Sequence, residues 1–229
     1  MALQLVIGNK NYSSWSMRPW VLMRQLGIPF TERKLRFDFS PGSAFRQAVA
    51  EVSPAGTVPV LVDEGFSVWD SLAIVEYLHE RFPERGVWPA DARDRARARS
   101  LCAEMHGGFS ALRSNCPMNI EARLPEVGAR VWAEQAAVRA NVARIEAMWA
   151  ECLAARGGPF LFGAFSAVDA YYAPVCMRLR SYGLPVSDTT RAYIERVAAA
   201  PGVAAFIADA LAEADFIAED EPYRQGRDG

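Results

Sequence analysis

The stretch Ser53-Pro54-Ala55-Gly56-Thr57-Val58-Pro59-Val60-Leu61, followed after a turn by Trp69-Asp70-Ser71-Leu72-Ala73-Ile74, decides how this chain folds. Proline lacks an N–H and is confined to strand starts, edges and bulges. Pro59 therefore marks the mouth of a short apolar strand and leaves the main chain of Val58 free for a ligand. A tight turn at this point makes Val58-Pro59 a candidate cis peptide, because cis bonds belong almost wholly to proline. Leu72, Ile74, Val75 and Leu78 carry helical spacing, so Asp70 and Ser71 stand at a helix start. The first-turn N–H groups there are unpaired and the dipole is positive. Either residue alone also reads as an ordinary helix cap. As an ordered set they suit an extended, peptide-like ligand: Val58 pairs with its main chain, Ser71 and the helix N–H groups hold a carboxylate, and Asp70 takes an ammonium.

Outward from this segment, residues 3–7 read as a buried strand, and a Ser-rich turn leads into a helix over 17–26 that Gly27 ends. A second strand is expected over 30–37. Residues 58–62 and 66–68 form a hairpin across Asp63-Glu64-Gly65, closed by a helix over 71–81. The order strand, helix, strand, helix, strand, strand, helix predicts an α/β, thioredoxin-like N-terminal domain over residues 1–82. Residues 83–89 interrupt all periodicity and place a linker at 83–92. Beyond it, Ala, Arg, Glu and Leu at 3.6-residue spacing predict an all-α C-terminal domain over 93–229. Its helices are expected at 93–115, 126–156, 167–182, 190–199 and 203–211, with a frayed polar end over 219–229. Phe165-Ser166-Ala167-Val168-Asp169 matches a capping box with a hydrophobic staple and is read as structural.

With 51% apolar and 23% charged residues the 229-residue chain has the make-up of a folded globule, and a net charge of −2 offers no broad attraction to nucleic acid or an acidic membrane. No apolar run approaches the ~20 residues of a membrane span, and the first eight residues lack a basic leader. Cys102, Cys116, Cys152 and Cys176 are scattered, and only His79 and His106 are available beside them. Neither a disulfide framework nor a metal site is expected, and a cytoplasmic location fits. Arg93, Arg95, Arg97 and Arg99 alternate with Asp and Ala, which reads as a solvated or dimer-facing helix start rather than a nucleic-acid patch.

The 53–74 segment closely resembles the glutathione-binding half of the glutathione transferase superfamily, and the resemblance extends over nearly the whole chain. It implies glutathione as co-substrate, no metal, a homodimer, and Thr57, Val58, Pro59, Asp70 and Ser71 as the glutathione-binding residues. Gly163 with the capping box is similar to an arrangement that organises folding of the C-terminal half in that family. Tyr12-Ser13-Ser14-Trp15-Ser16-Met17-Arg18-Pro19-Trp20 resembles the zeta-class motif, in which Ser-Ser-Cys-Ser precedes an aromatic residue and an arginine. Aligning the serines puts Ser13 on the position that donates to the thiol, with Ser14 one residue away, Ser16 as the helix cap within whose first turn Pro19 falls, and Tyr12 as a rival donor. Without that context the same serines make a turn and an N-cap. Trp15 replaces the zeta cysteine, which narrows the second-substrate pocket and counts against maleylacetoacetate isomerase activity. The absence of cysteine from residues 9–18 argues against a mixed-disulfide mechanism.

The second substrate is expected between the two domains. Met105, His106, Phe109 and Arg113, with Met118 and Asn119, are the candidates from the helical half. His106, Phe109 and Arg113 recur at helical spacing on one stripe, and Arg113 suits an anionic group. Met105 and Phe109 also read as core, His106 as an interface histidine and Arg113 as an ion-pair partner. The expected function is a glutathione transferase that activates the glutathione thiolate for attack on small hydrophobic electrophiles. A glutathione-dependent cis–trans isomerase and a non-catalytic glutathione-binding protein of the same fold are the alternatives.

Overall fold

β1 (Leu3–Ile7) is an inner strand from which the N-terminal half is built. It runs parallel to β2 (Phe30–Lys34) and antiparallel to β3 (Val60–Asp63), which turns back into β4 (Phe66–Trp69), giving the order β2-β1-β3-β4. Leu5, Val6 and Ile7 are fully buried, as a strand covered on both faces requires. The computed structural model describes residues 3–227, and Met1, Ala2, Asp228 and Gly229, at the ends of the expected domains, lie outside the described residues. α1 (Ser14–Gln25), α2 (Ala44–Ala50) and α3 (Ser71–Arg81) complete a thioredoxin-like unit of mixed sheet and helices.

Three expectations for this half need correction. β2 stops at Lys34 because Phe37 leaves the ladder. Its N–H goes to Asn9 Oδ1 at 2.8 Å and its ring packs with those of Phe39 and Phe45. α1 begins three residues early because Ser13, not Ser16, is its cap. Pro19 consequently sits inside the helix and not in its first turn, where it removes the N–H that would bond the Trp15 carbonyl. The Val58-Pro59 bond is cis, as expected.

The second half is helical: α4 (Ala92–Gly107), α5 (Ser110–Asn115), α6 (Pro125–Glu134), α7 (Ala136–Arg156), α8 (Ala167–Ser181), α9 (Asp188–Ala199) and α10 (Pro201–Glu213). Two expected helices are each two. The 93–115 pattern breaks at Gly108 and Phe109, the latter at φ 54°, so His106, Phe109 and Arg113 do not share one helical stripe. The 126–156 pattern breaks at Gln135. The capping box is present: Asp169, fully buried, accepts from Ser166 N–H at 3.0 Å, and also from Leu161 N–H at 3.1 Å and Tyr193 OH at 2.8 Å.

The end of the chain is not frayed through residue 227. Glu221 is buried, accepts from Tyr12 OH at 2.7 Å and Asn119 Nδ2 at 2.9 Å, and pairs with Arg224. The four cysteines are free and buried. Among the described residues no helix is long and apolar enough to cross a membrane. Within the arginine run, Arg99 holds Glu76 by two bonds and Arg97 meets Glu151 at 3.2 Å.

Candidate functional site

α1 and α3 both begin at the seam between the sheet unit and the helical unit. α3 is capped by Asp70, whose carboxylate accepts from Leu72 N–H at 2.8 Å. Asp70 holds φ 72°, a left-handed conformation that a residue with a Cβ adopts where surrounding structure enforces it, commonly at functional sites. Ser71 is buried with its Oγ 2.9 Å from the Tyr171 hydroxyl of α8. His106 of α4 closes the circuit, with Nε2 3.3 Å from Asp70 and Nδ1 3.5 Å from Tyr171 OH. A cavity of about 270 Å³ lies here, lined by Trp15, Thr57, Val58, Pro59, Asp70, Ser71 and His106. The main-chain N–H and C=O of Val58 make no backbone hydrogen bond among the described residues, so both remain available.

A second cavity of about 440 Å³ shares Trp15, Thr57 and Val58 with the first and extends past the start of α1. Phe37, Phe39, Phe45 and Met118 give it apolar walls; Ser13, Ser14, Arg46, Arg113, Arg178 and Asp220 give it polar ones. Its hydroxyls are not equivalent. Ser13 caps α1 and donates to Ser16 Oγ at 2.7 Å, so its proton is engaged. Tyr12 OH donates to Glu221, and burial followed by that bond pushes its ionisation up to about 12. Ser14 Oγ accepts from Arg178 Nη2 at 3.2 Å, which leaves its own proton to donate.

Tyr12, Ser13, Ser14, Trp15, Thr57, Val58, Pro59, Asp70, Ser71, His106, Arg113 and Met118 thus come together around two adjoining cavities. Met105 is buried in the main core, and Phe109, at the cap of α5, belongs to the same cluster; neither lines either cavity. Asn119 is buried and bonded to Glu221.

Sequence reasoning missed Arg178, Arg46, Asp220 and the aromatic wall of Phe37, Phe39 and Phe45. An arginine inside the otherwise apolar run of α8 was the available signal for Arg178. Burial, reinforced by the nearby Arg18 charge, holds the Arg178 guanidinium down to about 10, and burial does the same to Arg18. Burial pushes the Asp220 carboxyl up to about 6, with Glu219 and Glu221 adding to it.

Two family models match this chain: Glutathione S-transferase, N-terminal domain, over residues 12–81, and Glutathione S-transferase, C-terminal domain, over residues 120–209. The chain belongs to the glutathione transferase family. It is 22% identical over 183 residues to the Stringent starvation protein A homolog of Histophilus somni, an alignment covering 77% of this chain and 81% of that one. It is 30% identical over 102 residues to the probable maleylacetoacetate isomerase 2 of Drosophila melanogaster, covering 44% of this chain and 45% of the relative. A glutathione transferase homolog from Burkholderia GL BGR1, solved with bound glutathione, superposes with a TM-score of 0.69 at 24% identity, over 92% of this chain and 98% of that chain. At that identity the glutathione transferase fold is what the superposition establishes.

Proposed function

We propose that this protein is a glutathione transferase in which Ser14, rather than Ser13, donates to the thiol. The observation that carries the reading is that the α3 start and the Ser14 hydroxyl open onto adjoining cavities joined at Trp15, Thr57 and Val58. Glutathione lies along Val58, its γ-glutamyl carboxylate at Ser71 and the α3 N–H groups, its ammonium at Asp70, and its sulfur beside Ser14. Arg178 polarises that hydroxyl and adds positive charge, and both favour the thiolate. The electrophile occupies the remainder of the second cavity, against its aromatic wall. A cytoplasmic location, a homodimer and a domain boundary at 83–92 belong to the same proposal.

The stringent starvation protein A homolog, which gives the longer of the two sequence alignments above and is not named as a transferase, leaves room for a second reading: a glutathione-binding protein of the same fold without catalysis. The alignment with a maleylacetoacetate isomerase keeps reversible thiol addition as a third. The ultraviolet thiolate absorbance of bound glutathione, followed against pH, separates transferase from binding protein. The expected outcome is ionisation well below that of a free thiol, ~8.5, with Ser14→Ala returning it toward the free value. Glutathione bound without ionising favours the binding role. A shift that survives Ser14→Ala and disappears in Ser13→Ala moves the donor to Ser13.

A further inference from the structure

The wall of the second cavity carries more positive charge than the transferase reading uses. Arg178, 5% exposed, donates through Nη1 to the carbonyls of Arg113 at 3.2 Å and Cys116 at 2.5 Å, and through Nη2 to Ser14, while its Nε has no partner. Arg18, 1% exposed, lies one layer behind, sandwiched between the rings of Trp15 at 4.0 Å and Tyr171 at 4.6 Å, with Nε and Nη1 unpartnered. Arg113, half-buried on the same cavity wall, lies 5.6 Å from the Trp15 ring and gives one long bond to the His106 carbonyl. None of the three makes an ion pair among the described residues, and Asp220 is the one carboxyl on the cavity wall.

A buried cation without a counter-ion is costly, and an apolar side chain of similar volume would fill the same space at less cost. Packing therefore does not explain the two buried guanidiniums, to which half-buried Arg113 adds a third charge. A bound thiolate offsets one of them. Arginine presents a planar fork that matches a carboxylate and stays charged when buried. We infer that the second cavity takes an electrophile bearing a carboxylate, held by Arg178 and Arg113, with its apolar body against Met118 and the phenylalanines. This rests on the transferase reading and narrows its substrate from apolar electrophiles to apolar acids. For a conjugated acid the step balances without a leaving group or oxidant. The thiolate forms a C–S bond at the β-carbon, the π pair moves to the α-carbon, and that carbon takes a proton from solvent in place of the one lost by the thiol.

The test uses stable S-substituted glutathiones, which carry no thiolate. Binding of S-(2-carboxyethyl)glutathione and of its neutral isostere S-(2-carbamoylethyl)glutathione is measured by calorimetry, with S-methylglutathione as the reference carrying only glutathione's own carboxylates. The acid is expected to bind the wild-type protein at least about tenfold more tightly than the amide, and Arg113→Leu and Arg178→Met to cut that ratio to about threefold or less. If Arg178→Met does not fold, the wild-type ratio and Arg113→Leu decide the matter. Equal or weaker binding of the acid overturns the inference, as does a ratio that survives the substitutions. Absence of S-methylglutathione binding removes the transferase reading and this one with it. Its presence without discrimination between acid and amide removes this one alone.

Discussion

Asp169 shows how one side chain can be read from sequence and still be underestimated. The capping box was legible in Ser166-Ala167-Val168-Asp169, but Leu161 N–H and Tyr193 OH, which also converge on the carboxylate, come from a loop and from α9. Burial pushes this carboxyl up to about 6, against the opposing bonds from Leu161, Tyr193 and Ser166. The folded protein then holds a proton on Asp169 between about pH 4 and 6 that the unfolded chain has released, so this group's contribution is full below pH 4 and declines as pH rises through 6. Relative to Asp169→Asn, wild type is expected to gain about 2–3 kcal/mol of unfolding free energy as pH falls from 7 to 4. Urea unfolding of both proteins across that range measures it, and a constant difference would show that the carboxyl does not titrate there. At the α1 start the limit is similar: a cluster of hydroxyls is visible in Tyr12-Ser13-Ser14, but which has a spare proton depends on Ser16, Glu221 and Arg178.

Among the elements, α3 matched its expected span because its start and stop are local: Asp70 caps it, and the helix ends at Arg81, two residues ahead of Pro83. The 93–115 pattern did not, because the apolar spacing continues past Gly107-Gly108 and outweighed the stop signal that this glycine pair carries. The break follows from packing, with α5 lying against α7 and Leu112 N–H reaching Asn141 Oδ1 at 3.2 Å. A close approach of the same origin joins the two halves at Gly202. A Cβ there would lie 2.7 Å from the Val21 carbonyl oxygen and 2.9 Å from the Gln25 nitrogen on α1, both backbone atoms with no freedom to move aside. Gly202→Ala is expected to push α10 off α1 and cost about 2–4 kcal/mol, despite alanine's better helix propensity. Thermal unfolding checks this, and an unchanged or raised Tm would refute the close contact.

At the scale of the whole molecule, α1 is shared: it packs on α8 and α10 as well as on the sheet unit. Lys10, buried beside it, meets Glu32 of β2 and Asp209 of α10, each at 2.6 Å, and lies 4.5 Å from the Trp20 ring. Lys10→Met leaves two carboxylates facing each other without their cation. The expected loss is about 1–3 kcal/mol, toward the low end because both partners keep contact with water. Both halves are expected to lose it together, as one cooperative transition whose urea midpoint falls while its slope is unchanged. Two separate transitions would mean that the halves fold independently. From sequence alone came the order of elements in the N-terminal half, the cavity-lining segment at Val58-Pro59 and Asp70-Ser71, and the family they belong to. All of these are written in spacings of a few residues, where proline geometry, helix caps and apolar period act. Tertiary structure alone decided the free hydroxyl at Ser14, the unpaired arginines behind it and the closing of the C-terminal segment over Tyr12. Their partners lie far apart along the chain, 164 residues for Arg178 and Ser14, and no local pattern records which distant groups burial will bring into contact.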